Sequence, residues 1–231
     1  MADYRVSASF INSFIEDKEW NGFVDALLKK YEANQYSEWG CYFEDYLEAC
    51  YHSIFENGGD VLELPEYKHA RKLFETYVND GIKNLNPQLI LQWLAEIGPG
   101  ATWQPWMHKT LTVGDDTFTF VGKPDIICPD RIIDLKTSNK NPTRTKFAKS
   151  VQHATYIWFT GKERFDYLIH SRENPGEIIK QSYEMAPDVA EEVLRENVAA
   201  MMEHLKKNPP LLKLFNMNFP LNRPGKTLYE H

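Results

Sequence analysis

The sequence predicts an α/β fold: a central mixed β-sheet of about five strands flanked by helices, with a mainly helical amino-terminal part. Three observations carry this reading. Phe118, Phe120 and Gly122 alternate with Thr117, Thr119 and Val121, the period of two that marks a strand. Two apolar runs, Ile126-Ile127-Cys128 and Ile132-Ile133, follow on either side of a Pro129-Asp130 turn. Before residue 98, by contrast, apolar side chains recur three or four apart, as on one face of a helix.

Taken in order, residues 6–31 read as one or two helices, with Ser7 or Ser9 as cap and Phe10, Phe14, Phe23, Leu27 and Tyr31 at helical spacing. Residues 39–55 form a second helix with Phe43, Leu47, Cys50 and Ile54 as its apolar stripe; Glu44 and Glu48 stand one turn apart at its edge. Gly58-Gly59 ends it. Helices are expected over 66–78 and 87–97, the latter with proline in its first turn. After the Gly98-Pro99-Gly100 turn, residues 102–113 read as a strand, closed into a hairpin by Gly114-Asp115-Asp116. The catalytic candidates lie on the strands that follow. Residues 139–143 are a turn-rich break, and 145–159 read as a helix that stacks Gln152 and Tyr156 on one face, with Lys149 three before Gln152. Residues 164–170 and 177–185 supply two more strands, joined by a Glu-Asn-Pro-Gly turn. A long helix over 186–207 has an acidic start and a basic end, as the helix dipole favours, and Pro209-Pro210 stops it. The tail to His231 lacks periodicity. The whole reads as a single domain, 1–231, made of a helical part (1–98), a sheet with its following helix (99–185), and a final helix and tail (186–231).

Hydrophobic residues at 42% and aromatic residues at 13% support a packed core and argue against disorder. No apolar run reaches the length of a membrane span, and the first residues lack a basic-then-apolar leader, so no membrane association is expected. Cys41, Cys50 and Cys128 form neither a disulfide framework nor a paired metal knuckle, which suits a reducing, cytoplasmic setting. A net charge of −7 runs against a nucleic-acid partner. Its distribution runs the other way: residues 136–149 contain Lys136, Lys140, Arg144, Lys146 and Lys149 and no acid.

That basic segment follows the most informative stretch. Asp125, Asp134 and Lys136 interrupt apolar strands, where a carboxylate is costly unless a charge meets it. Asp134 and Lys136 are two apart and share a strand face. The turn at Pro129-Asp130 brings Asp125 alongside, so two carboxylates and an ammonium meet, a donor set suited to a hard cation such as Mg²⁺ or Mn²⁺. Read from the residues alone, this is a site for metal-assisted hydrolysis beside a basic, aromatic-rich segment.

Gly122-x-x-Asp125 followed by Ile132-Ile133-Asp134-Leu135-Lys136-Thr137 resembles the core of the PD-(D/E)XK nuclease superfamily, specifically its RecB-like branch. Gly40-x-x-x-Glu44 is similar to the superfamily's first motif, and Gln152-x-x-x-Tyr156 to the third motif that marks the branch. The stretch V-S-A-S-F-I-N-S-F at 6–14 resembles its amino-terminal signature. The resemblance implies a restriction-endonuclease-like core and a metal-dependent DNA exonuclease of the stand-alone phage or viral type, acting in recombination, replication or DNA processing. It implies that Glu44, Asp125, Asp134 and the Leu135 carbonyl hold one or two Mg²⁺ (or Mn²⁺) ions, with Glu48 in reserve for Glu44. Lys136 would orient the attacking water, Gln152 and Tyr156 would position substrate and catalytic groups, and Lys140, Arg144, Lys146 and Lys149 would neutralise DNA phosphates. Partners would be single-stranded or duplex DNA ends, and a recombination or replication protein. Relatives with an iron–sulfur cluster carry a cysteine after the serine pair and three more near the carboxy terminus. Here Glu16-Asp17-Lys18 and a cysteine-free tail stand in those places, so no cluster is expected. Trp103, Trp106 and His108 are available to stack on bases, though core packing is the commoner use of such rings. The alternatives are a structure-specific endonuclease or RNase on the same fold, or a catalytically silent nucleic-acid-binding module.

Overall fold

A computed structural model describes residues 2–17, 21–30, 35–56, 58, 87–143, 145–171, 173–174 and 176–221. The helix expected over 66–78, Gly59, Tyr31, Arg144 and the tail beyond 221 lie outside the described residues. The elements in chain order are β1 (Asp3–Val6), α1 (Ala8–Asp17), α2 (Asn21–Leu27), α3 (Gln35–Tyr51), α4 (Pro87–Ile97), β2 (Thr102–Trp103), β3 (Met107–Val113), β4 (Asp116–Gly122), β5 (Ile126–Ile127), β6 (Ile132–Ser138), α5 (Gln152–Thr160), β7 (Arg164–Ser171), β8 (Ile178–Glu184), α6 (Pro187–Lys207) and α7 (Pro209–Asn218). A short π-helical turn, His52–Glu56, extends α3.

The expected mixed sheet of five strands is present, in the order β2-β5-β6-β7-β8. Its centre is the parallel pair β6/β7, which runs in register from Ile132↔Phe165 to Ser138↔Ser171 and needs the crossover through α5 that parallel neighbours require. Strand alternation sends Ile132, Phe165, Tyr167 and Ile169 to one face, where they pack with α1, α5 and α6 residues such as Phe10, Ile157 and Leu194. Ile126, Ile133, Leu135 and Leu168 go to the other, against Phe43, Leu47, Trp93 and Leu94 of α3 and α4. Each fully buried side chain of this size contributes about 1.5–3 kcal/mol, so both faces hold β6 rigidly where it carries Asp134.

Five features differ from the sequence expectation. The β3/β4 hairpin does not join the five-stranded sheet; it forms a second sheet in the order β1-β4-β3. Its third strand, β1, was not expected, the helical reading starting only at its last residue, Val6; it pairs parallel to β4, Asp3↔Thr117 to Val6↔Phe120. On its other side Arg5 N–H donates to the Phe219 carbonyl and Leu221 N–H to that of Asp3, both at 2.9 Å. The single strand expected over 102–113 is split, because Gln104 adopts φ 48 and its N–H turns to the Asp125 carbonyl at 2.9 Å; β2 therefore pairs with β5 and β3 with β4. The helix expected from 145 begins only at Gln152; residues 145–149 are turns with three-residue hydrogen bonds such as Lys146 N–H to the Thr143 carbonyl. Pro209-Pro210 ends α6 as expected but also opens α7, since proline suits a helix's first turn.

Candidate active site

The site forms where two strands part. β5 pairs with β6 over only two positions, Ile126↔Ile133 and Ile127↔Ile132. Beyond them β6 has no strand partner on that side among the described residues, and the Asp125 carboxylate takes the place of a ladder, with Oδ2 accepting the Leu135 N–H at 2.8 Å. An extended residue points its N–H and C=O to the same side, so the Leu135 carbonyl also opens toward Asp125. Gln104 N–H holds the Asp125 carbonyl, which fixes this residue through both main chain and side chain.

Asp134, one residue earlier on β6, is fully buried. Gln152, the first residue of α5, donates from Nε2 to its Oδ1, and Lys136 Nζ forms an ion pair with its Oδ2. The Lys136 side chain is 31% exposed and its ammonium lies 5.9 Å from the Tyr167 ring centre, so it rests on β7 while facing the opening. Glu44 enters from α3. Burial first, and then the Asp134 charge, push its pKa up to about 7 against the pull of Lys136. Burial, Asp134 and Glu44 raise Asp125 well above the usual carboxylate range. Asp134 is also raised, by burial, with Lys136 opposing. Burial works against the charged Lys136, but Asp134 and Asp125 outweigh it and hold its pKa above normal.

Three carboxylates and one ammonium make a formal charge of −2 when ionised, the complement of one divalent ion. Burial is the first cause of all three raised carboxyl values; repulsion among the acids adds to it for Glu44 and Asp125, and Lys136 opposes it throughout. Hard oxygen donors in this number fit Mg²⁺ or Mn²⁺. Among the described residues no three acid, histidine or cysteine side chains stand close enough to form a ready ligand cluster. The Lys136 ammonium supplies the positive charge that meets Asp134 Oδ2.

The other sequence candidates distribute as follows. Glu48 turns to His52, with its Oε1 3.7 Å from Nε2, while Glu44 interacts with Asp134 and Lys136. Tyr156 lies on α5 one turn from Gln152, but its hydroxyl donates to the Lys123 carbonyl at 3.2 Å. Its ring fills the space over Gly122, where a Cβ would come within 2.9 Å of Cε1. Gly122 is therefore required by close approach. Gly40 is looser, with an added Cβ 3.5 Å from Thr137 Oγ1. Lys140, Lys146 and Lys149 are exposed on the turns that leave β6, and Lys146 Nζ lies 5.3 Å from the Phe147 ring centre, a ring stacked in turn on Tyr167. Trp103 is core, whereas Trp106 is 40% exposed beside the Gln104 turn. Sequence reading missed Asn12, Ser150 and Tyr167, which surround Gln152 and Lys136; separations of up to 139 residues leave no local signal. It also missed Asp166, a buried carboxylate on β7 met by Arg131 and Arg164 at 3.1 Å and Lys180 at 3.5 Å.

No family model matches this chain, and no curated protein matches it significantly. Solved structures do. A protein of Eubacterium rectale, provisionally named an exonuclease, shares 16% identity over 97% of this chain and 89% of its own, with a TM-score of 0.52. The two share a fold. An alkaline exonuclease from Laribacter hongkongensis aligns over 74% of this chain and 96% of its own at 13% identity, with a TM-score of 0.34. No described helix is long and apolar enough to cross a membrane.

Proposed function

We propose that the protein is a metal-dependent DNA exonuclease of the PD-(D/E)XK type and RecB-like branch. The observation that carries this reading is the gathering of Glu44, Asp125, Asp134 and Lys136 at the open side of β6, with a deficit of positive charge. The exonuclease name of the Eubacterium rectale structure supports it. Glu44, Asp125, Asp134 and the Leu135 carbonyl would hold Mg²⁺ or Mn²⁺. When bound, such an ion lowers the pKa of a water and neutralises charge on the scissile phosphate. Gln152 holds Asp134 by one oxygen. Lys136 pairs with the other oxygen and faces the opening, where with the metal bound it would orient the attacking water and meet negative charge building on the phosphate. Tyr156 fixes the Lys123 main chain beside Asp125. The lysines at 140, 146 and 149 draw the DNA backbone toward the site, and we assign Arg144 to the same role.

The test uses linear DNA labelled at each end, and circular single-stranded DNA, with Mg²⁺, Mn²⁺ or EDTA. Linear DNA should be degraded from an end, circles spared, and EDTA should stop the reaction. Asp134→Asn should be inactive while keeping its fold. Cleavage in EDTA, or an Asp134→Asn variant as fast as the parent, rejects the mechanism; cut circles make the enzyme an endonuclease.

A further inference from the structure

Asn12, on α1, is separated by more than half of the chain from the helix that carries Gln152, yet it grips that helix with both ends of its amide. Nδ2 donates to Ser150 Oγ at 2.9 Å, and Oδ1 accepts the Val151 N–H at 2.8 Å. Only this amide orientation serves both partners, since the flipped one would set a donor against the Val151 N–H. The grip falls where α5 is weakest. Helices begin with unpaired N–H groups that a cap residue usually satisfies, but the N-cap here is Val151, which has no capping side chain. Ser150 Oγ takes the Gln152 N–H at 3.2 Å, and Asn12 holds both that hydroxyl and the preceding N–H. The same Oγ lies 3.5 Å from the Tyr167 hydroxyl, and the Tyr167 ring carries Lys136.

We infer that Asn12 is a positioning residue: it caps α5 from outside and so keeps the Gln152 amide on Asp134, with Ser150 as the shared link to the Tyr167 platform beneath Lys136. Gln152 is the first residue of its helix, and first turns fray when uncapped. An unpinned Gln152 would release Asp134 Oδ1, and the carboxylate would turn away from Asp125 and Glu44. The effect on rate rests on the nuclease reading above; the effect on Gln152 does not.

The test therefore has two arms. In metal-free protein with ¹⁵N-labelled glutamine, the Gln152 side-chain amide should show a resolved, exchange-protected pair of proton signals. Asn12→Ala should average that pair and speed its exchange with water, whereas Asn12→Asp, which keeps the acceptor for Val151, should retain it. Signals unchanged in Asn12→Ala overturn the proposal, whatever the protein's activity. In the second arm, single-turnover cleavage in Mg²⁺ should slow about tenfold in Asn12→Ala, the lower end of the loss expected when Gln152, the partner of Asp134, is released. It should stay near the parent rate in Asn12→Asp, and it should not slow further when Asn12→Ala is added to Gln152→Ala. An equal loss in both backgrounds would make Asn12 a purely structural residue and overturn the proposal. A parent that cleaves no DNA would defeat the nuclease reading and leave the first arm to decide Asn12. Should Asn12→Ala fail to fold, Ser150→Ala breaks the same link and carries both arms.

Discussion

Replacing Gly122 by alanine isolates one packing contact of the site. Gly122 is absent from the residues with positive φ, so alanine is opposed by space alone. Its Cβ would lie 2.9 Å from Tyr156 Cε1 and 3.4 Å from both the Tyr156 hydroxyl and Phe159 Cε2. Carbon atoms attract best at about 3.5–4.0 Å, so the ring must retreat by roughly 0.6–1.1 Å. It has nowhere to go. Tyr156 is 7% exposed, stacks near Phe165 and is tied to the Lys123 carbonyl. Overpacking of this kind costs about 1–3 kcal/mol, offset by about 0.5–1 kcal/mol from removing a strand glycine. The expected net loss is up to about 2.5 kcal/mol and centred on roughly 1, or a fall in Tm of up to roughly 10 °C, read as a lower urea midpoint at constant slope. In a Tyr156→Ala background the 2.9 Å clash is gone and only the 3.4 Å approach to Phe159 remains, so the same substitution should be neutral or stabilise by up to about 1 kcal/mol. A Gly122→Ala effect of the same sign and size in both backgrounds would refute the contact.

Lys136→Met should lower the single-turnover rate by about 10²- to 10³-fold, the usual loss of one transition-state charge stabiliser, while DNA affinity in Ca²⁺ stays near that of the parent; weaker binding at an unchanged rate would make Lys136 a docking contact. Glu44→Gln should raise the Mg²⁺ concentration needed for half-maximal cleavage well beyond the effect of Glu48→Gln, since Glu48 pairs with His52; the reverse ranking in a metal titration would move the ligand one turn along α3. His153 is stacked on Tyr183, and burial holds its pKa down to about 4. Below about pH 6.5 the unfolded chain binds a proton that the native imidazole refuses, so this residue's contribution falls with pH by up to about 3 kcal/mol before levelling near pH 4. His153→Phe should flatten the stability profile over that window in urea titrations, and parallel profiles for the two proteins would contradict it.

Asp125, Asp134 and Lys136 were legible because their geometry is local: one turn and the two-residue repeat of a strand place them together. Glu44 and Gln152 were legible as residues but not in their contacts, since nothing in a helix says which strand side chain it will meet. The start of α5 was misread because the helical spacing continues back to Thr145, while the boundary is set at Ser150 and Val151 by an amide from α1. β1 was missed for a related reason. Four residues preceding a strong helical pattern carry little signal of their own, and what makes them a strand is the β4 edge more than 100 residues on. The break at Gln104 follows from its hydrogen bond to Asp125, again a partner outside the window.

The placement of β1 between β4 and residues 219–221 has a consequence for how the chain is made. Ribosomes add about 5–20 residues per second, so Asp3–Val6 emerges roughly 10–40 s before the carbonyl of Phe219 that receives the Arg5 N–H. Until residues 219–221 are made, the segment has only the β4 edge to pair with, and α1 follows it directly in the chain. Asn12 rides on that helix. Its partners Ser150 and Val151 follow 138 and 139 residues later, so the residue that grips the first turn of α5 is made long before the turn itself.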